Sequence, residues 1–308
     1  AVGLALALPG CADATEPRSD PEGEPLRLGR IHVVLEPTED LVAPEPALTD
    51  TLDAALEVTA RFAFVRGLEE EFVRTRIDVP VLPHDALRAS ECVPTDSLVL
   101  DSGEPEESAD MRELVLVDAG DLTVRVGDTD FDVPLSLVPD LLPYMSGVEY
   151  LQEGENVPLV PGAAPRVLVQ AKGSMTEDLP AFTTEGLVPP ALGLFATEAD
   201  LDEQREGALV LRWLPASEAG GADVTVRLLP LRGGEPAGDE ITCVLADRGS
   251  ARIDLGRLSV IGLPPQAEAL RVTASRVAVS NFDVGDFAGS ELVIERRDRL
   301  YVPLVTRR

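Results

Sequence analysis

Alternation of apolar and polar residues at every second position dominates this chain, and helical periodicity is scarce. A strand alternates its side chains between two faces, whereas a helix repeats every 3.6 residues. The pattern therefore restricts the chain to an all-β body. The clearest case is Thr129-Asp130-Phe131-Asp132-Val133-Pro134-Leu135-Ser136-Leu137. Read as one strand, Phe131, Val133, Leu135 and Leu137 share one face, and Asp130, Asp132, Pro134 and Ser136 share the other. Pro134 cannot donate to a ladder, which marks an edge strand. Leu122-Thr123-Val124-Arg125-Val126 repeats the pattern and ends at Gly127-Asp128, so the two runs predict a hairpin. Further strands are expected at 31–36, 56–66, 72–79, 97–100, 113–118 and 166–171, with short helical turns at 51–56 and 84–89.

Residues 176–207 break this rhythm. They hold Pro180, Gly186, Pro189, Pro190 and Gly193, then an acidic run from Glu198 to Glu206. Such punctuation marks a connector, with one helical turn expected at 198–205. A β-rich domain at 27–175 precedes it and a second at 208–308 follows. In the second, Ala208 to Leu214 reads as a strand carrying Trp213, the only Trp. Its indole is expected in the core, on the face of Leu209 and Leu211. Val224, Val226 and Leu228 alternate with Asp223, Thr225 and Arg227, and Ala251, Ile253 and Leu255 alternate with Ser250, Arg252 and Asp254. Between 270 and 279 the apolar phase slips, from Leu270, Val272 and Ala274 to Val277 and Val279; a bulge near Ser275-Arg276 would absorb the extra residue. Leu292-Val293-Ile294 and Tyr301-Val302-Pro303-Leu304 close the unit. About seven short strands with a Trp and a strand Cys resemble an immunoglobulin-like β-sandwich. The second Cys of a true immunoglobulin pair is missing from this unit, so the resemblance is one of architecture.

The chain starts with the apolar run Ala1-Val2-Gly3-Leu4-Ala5-Leu6-Ala7-Leu8, followed by Pro9-Gly10-Cys11. A spanning helix needs about 20 apolar residues, so this run is too short for one. Its length and its small-residue exit suit a signal h-region. Leu8, Gly10 and Cys11 resemble a bacterial lipobox, although Pro9 stands where Ala, Ser or Thr is usual. The resemblance implies that 1–10 is a signal remnant, cut before Cys11, and that the Cys11 thiol is acylated. The expected address is then the bacterial cell envelope, lipid-anchored at the outer membrane or periplasmic face. The alternative is ordinary secretion with an incidental Cys. Residues 11–26 are rich in Pro and acid and lack periodicity. They cannot bury enough surface to offset their ordering entropy and read as a disordered tether.

Charge narrows the partners. There are 55 Asp and Glu against 26 Lys and Arg, a net charge of −29. Phosphate backbones require basic patches, so nucleic acid is not an expected partner. Adhesion to anionic lipid by charge alone is opposed as well. Lys172 is the only Lys. An acidic, Lys-poor surface suits a salty medium, where screening reduces self-repulsion; codon bias in a GC-rich genome gives the same composition. With Cys11 acylated, Cys92 and Cys243 remain in an oxidising compartment. They are candidates for one disulfide, or for two separate buried thiols.

Several segments resemble a recurrent pattern in uncharacterised myxobacterial lipoproteins. These are Leu211-Arg212-Trp213-Leu214-Pro215, Ala222-Asp223-Val224-Thr225-Val226, Ile241-Thr242-Cys243, Asp247-Arg248-Gly249-Ser250-Ala251-Arg252-Ile253 and Val117-Asp118-Ala119-Gly120-Asp121-Leu122-Thr123-Val124. The segments are structural in character, and the group has no established activity, so the resemblance gives no residue a role.

Signatures of catalysis are sparse. His32 and His84 are the only histidines, and neither belongs to an H-E-x-x-H or a zinc-spaced set. No Ser lies in G-x-S-x-G, and Ser174 follows Lys172 at a spacing that is not S-x-x-K. No catalytic residue is nominated. An extracytoplasmic hydrolase with a cryptic triad stays the alternative. The sharpest cluster is Asp128, Asp130 and Asp132, which share one strand face. Calcium takes six to eight oxygens, and Asp118 and Asp121 could approach if the hairpin pairs. The solvated face of an acidic strand is the plainer reading. Asp283, Asp286 and Glu291 form a weaker candidate of the same kind. Tyr144 and Tyr150 are the loop aromatics that a glycan platform would need. The expectation is a non-enzymatic, membrane-tethered lipoprotein, structural or binding an envelope protein or glycan. It needs no cofactor, unless calcium.

Overall fold

The computed structural model describes residues 25–38, 41–42, 52–68, 73–74, 87–98, 113–142, 145–159, 165–175, 179–216 and 223–305. The fold is all-β. In chain order the strands are β1 (Leu26–Pro37), β2 (Leu41–Val42), β3 (Leu52–Arg66), β4 (Glu91–Pro94), β5 (Glu113–Leu116), β6 (Leu122–Val126), β7 (Thr129–Val133), β8 (Leu135–Leu142) and β9 (Met145–Leu159). They continue as β10 (Arg166–Ala171), β11 (Phe182–Leu187), β12 (Ala208–Arg212), β13 (Asp223–Arg232), β14 (Glu235–Pro236), β15 (Ile241–Ala246), β16 (Ser250–Asp254), β17 (Ala269–Val284) and β18 (Phe287–Pro303). Two short helices, α1 (Glu198–Glu203) and α2 (Leu255–Ile261), lie among the described residues.

A twelve-stranded sheet follows the path β4-β15-β13-β17-β18-β1-β3-β5-β9-β8, with β14 on β13 and β2 on β18. A four-stranded sheet runs β11-β10-β6-β7, and β12 pairs with β16. Two apolar cores result. The first joins Ile31, Val33, Leu56, Phe62, Leu292 and Ile294 of the wide sheet to Val124, Val126, Val167 and Val169 of the four-stranded sheet. The second joins Val226, Cys243, Val272 and Leu300 of the wide sheet to Leu209 and Leu211 on β12 and Ile253 on β16. Trp213 sits in this second core at 2 % exposure, beside Leu209 and Leu211.

The cores do not divide as 27–175 and 208–308. β4 leaves the first half of the chain to pair with β15. β18 pairs in parallel with β1 from Arg30↔Glu291 to Leu35↔Arg296, and its Phe287, Leu292 and Ile294 complete the first core. The segment read as a connector also contributes structure. It contains β11, buried Val188, Leu192, Leu194 and Ala196, and then α1, whose Thr197 forms a capping box with Asp200.

β17 and β18 form one long hairpin that traverses both cores. On β18 one face reads Leu292 and Ile294 in the first core, then Arg296 and Asp298, then Leu300 and Val302 in the second. On β17 the same face carries Leu270, Val272 and Ala274, then Arg276, and reaches Val284. No bulge occurs at Ser275-Arg276; the β17–β18 register is continuous from Ala269 to Phe282 and shifts only between Phe282 and Val284. The apparent phase slip arises because a charged residue occupies an inward position, while Val279 faces out at 45 % exposure.

Pro134 also redirects the chain. β7 pairs with β6 in the small sheet and β8 pairs with β9 in the wide one. Phe131 and Val133 are buried, but Leu135 and Leu137 are 45 % and 77 % exposed, so the expected four-residue apolar face breaks at the proline. Residues 52–56 are strand and not a helical turn, because β1 and β9 pair with β3 on its two sides. Thr95–Leu98 forms a 3₁₀ turn where a strand is expected at 97–100. Residues 73–74 are helical within the expected strand at 72–79, and the rest of that segment lies outside the described residues.

Candidate functional site

Cys11, His84 and Tyr144 lie outside the described residues. Cys92 and Cys243 are bonded, facing each other across the antiparallel β4–β15 pair with Cα atoms 4.1 Å apart. They meet because β4 belongs to the second core's side of the wide sheet. Asp128 is in the β6–β7 turn, and Asp130 and Asp132 are exposed on β7. Arg125 donates to both Asp130 oxygens, at 2.6 and 3.0 Å, and its guanidinium holds that carboxyl below the usual range. Asp118 and Asp121 are engaged elsewhere. Tyr150 donates its hydroxyl to Asp118 at 2.6 Å, and Lys172 pairs with Asp121 at 2.7 Å. Among the described residues no three His, Cys, Asp or Glu groups converge as a metal would need. Asp286 accepts from Arg27, Glu291 from Arg30, and Asp283 from the Gly289 amide. Tyr150 is a core residue at 1 % exposure, its hydroxyl pushed up by burial and by Asp118.

Two concentrations of charge carry the rest. The first is a polar seam between the cores, built on the run Glu295-Arg296-Arg297-Asp298-Arg299. The chain from Pro190 to Gly193 crosses here outside any strand, so its buried backbone groups need partners. Arg276 supplies two of them, donating to the carbonyls of Pro190 at 3.1 Å and Ala191 at 3.0 Å. Asp298 supplies two more, accepting from the amides of Leu192 at 2.6 Å and Gly193 at 2.9 Å. Arg276 also donates to the Leu214 carbonyl and makes a two-pronged contact with Asp247 at 2.9 and 3.0 Å. Trp213 Nε1 donates to the same carboxylate at 2.7 Å. Burial raises the Asp247 carboxyl, but Arg276 and Trp213 outweigh it and hold it low. Burial prevails at Asp298 and pushes its carboxyl up.

On the opposite face of β18, Arg297 grips Glu295 at 2.9 and 3.0 Å and reaches Glu36 at 3.0 Å. His32 Nε2 lies 3.3 Å from Glu295. Burial raises the Glu295 carboxyl, yet His32, Arg297 and Arg227 hold it well below the usual range. His32 thus sits against a paired carboxylate in the sheet. The signal for the seam was a strand whose apolar flanks enclose five consecutive charged residues.

The second concentration lines a cavity of about 400 Å³ between β4, the β15–β16 turn, β16 and α2. Arg248, Arg252 and Arg257 line it, with Ser90, Ser250 and Asp254 and an apolar floor that includes Leu245, Ile253, Leu258 and Ile261. Cys92 is at its wall. Arg252 is paired with Glu203. Asp254 accepts from the Gly256 and Arg257 amides. Neither Arg248 nor Arg257 has a carboxylate partner among the described residues, and both are exposed. Ser90 has φ +72°, the only left-handed non-glycine among the described residues. Such strain persists only where the surroundings enforce it, and it clusters at binding and catalytic sites. Here the Ser90 amide donates to the Val244 carbonyl at 2.6 Å. The sequence signal was a local charge reversal: residues 248–257 hold three Arg and one Asp in a chain of net charge −29.

No family model matches the chain. No curated protein matches it either. Among solved structures, a yeast delta-COP-I mu-homology domain aligns over 90 % of this chain and 98 % of its own, at 8 % identity and a TM-score of 0.23, and nothing transfers at that overlap.

Proposed function

We propose that the protein is a non-enzymatic, lipid-anchored component of a bacterial cell envelope that binds a partner or ligand there through its folded β-body. The observation that carries this reading is the Cys92–Cys243 bond. Disulfides persist in oxidising compartments and are rare in the cytosol, which agrees with Leu8-Pro9-Gly10-Cys11 read as a lipobox. The acidic, Pro-rich stretch at 11–26 then serves as the spacer between lipid and body. A binding role is favoured by the cavity lined by Arg248, Arg252 and Arg257, which offers positive charge on an acidic chain. Mass spectrometry of the mature N-terminus tests the anchor: an acylated Cys11 is expected, and a mature chain with a free thiol at Cys11 would sink it. Thiol labelling of the protein from native envelopes tests the compartment, where Cys92 and Cys243 should be blocked until reduced.

A further inference from the structure

We infer that the cavity between β4, β16 and α2 is a binding site for a small phosphate- or carboxylate-bearing molecule with an apolar body. The inference rests on the binding role proposed above and is independent of the anchor.

Three features of the cavity specify the ligand. The first is charge. Arg248, Arg252 and Arg257 surround one volume, while the only acid in the lining, Asp254, is turned to the Gly256 and Arg257 amides. Guanidinium forks match the planar or tetrahedral oxygen sets of carboxylate and phosphate. Arg248 and Arg257 keep those donors free of carboxylates among the described residues, although acids outnumber basic residues 55 to 26. The second feature is the floor. Leu258 and Ile253 are 0 % and 6 % exposed and give the cavity an apolar side away from the arginines. The volume of about 400 Å³ falls in the range of small-molecule sites. The third is rigidity. The Cys92–Cys243 bond and the hydrogen bond from the Ser90 amide to the Val244 carbonyl tie the β4 wall to β15, which lowers the ordering cost of binding.

The test is calorimetric titration of the full chain with inorganic phosphate, hexyl phosphate, hexanoate and hexanol. Hexyl phosphate or hexanoate should bind saturably at one site and more tightly than inorganic phosphate; the tighter of the two names the head group. Hexanol should give no saturable signal. Arg248→Gln and Arg257→Gln should each weaken the anion by about tenfold, as loss of a charge-assisted hydrogen bond does. Arg232→Gln, an exposed arginine at the end of β13, should leave affinity unchanged. Absence of saturable anion binding by the unaltered chain overturns the inference without recourse to variants. Equal weakening by Arg232→Gln, or hexanol binding as tightly as its anions, overturns it as well. A chain with acylated Cys11 that binds neither anion sinks this inference alone, and a chain that binds with Cys11 unmodified sinks the anchor alone.

Discussion

Asp247 and Arg248 are neighbours in sequence and belong to two different regions. Asp247 points into the seam, where Arg276 and Trp213 bind it. Arg248 points into the cavity and has no carboxylate partner among the described residues. The seam is dry: the Arg276 and Asp247 side chains are 4 % and 6 % exposed, and all three guanidinium nitrogens of Arg276 have acceptors. The cavity is open, and Arg248 and Arg257 are exposed at it. A buried charge must be matched at folding, because removing one partner strands the other. An exposed charge at a cavity carries no such obligation and stays available to a ligand. The same residue type thus fastens the fold in one place and equips a site about one residue away.

Substitutions can break this contrast. The largest effects belong to the seam. Asp247→Ala strands Arg276 and should cost about 3–5 kcal/mol in urea unfolding. Trp213→Ala should cost about 3–5 kcal/mol as a large core truncation, and Trp213 in the parent should emit as a buried indole. A loss under about 1 kcal/mol for Asp247→Ala would mean that water reaches the seam and that the contrast fails.

An intermediate effect lies at α1. Asp200 is 2 % exposed, and its carboxyl is set at about 2, because Arg212 and Thr197 outweigh the burial that raises it. The unfolded chain therefore binds this proton first as pH falls. Asp200 contributes about 2 kcal/mol at neutral pH that is lost between about pH 4 and pH 2. Acid titration of the melting temperature should show that loss, and Asp200→Asn should remove it from the titration. An unchanged acid profile in Asp200→Asn would refute the assignment.

The smallest effects belong to the cavity. Arg248→Gln and Arg257→Gln should change stability by less than about 0.5 kcal/mol, as exposed substitutions do. Each variant gains one net negative charge, so raising sodium chloride from about 0.01 to about 1 M should lift its melting temperature slightly more than the parent's. A large destabilisation by either change would place these arginines with the seam.

Local signals in the sequence were readable where the structure is local. The 122–133 hairpin, the strand leading into buried Trp213 and the helical turn within 198–205 all follow from neighbouring residues. β9 was missed because Gln152-Glu153-Gly154-Glu155-Asn156 has no alternation; it is a strand because β3 and β8 pair with it. The β1–β18 pairing joins segments about 260 residues apart and leaves no mark within either. The face of β7 and β8 was misread because Pro134 passes the chain from one sheet to another. The seam was hidden because inward charges imitate a phase slip, and their partners come from the connector. The cavity arginines stand out only against the chain's overall charge. The cavity wall at Ser90 and Cys92 comes with β4, which reaches the site from the far half of the sequence.

The parallel pairing of β1 with β18 sets an order of assembly. β1 precedes its β18 partner by about 260 residues, so one of its edges has no neighbour until residues 291–296 follow. The first core lacks Phe287, Leu292 and Ile294 for the same interval. Closing contacts of such sequence separation are slow to form, because loop entropy is lost before contact energy is gained. A growing chain of this topology keeps the first core incomplete until β18 has been made. The cost is a long interval in which the β1 edge is open to strands of other chains.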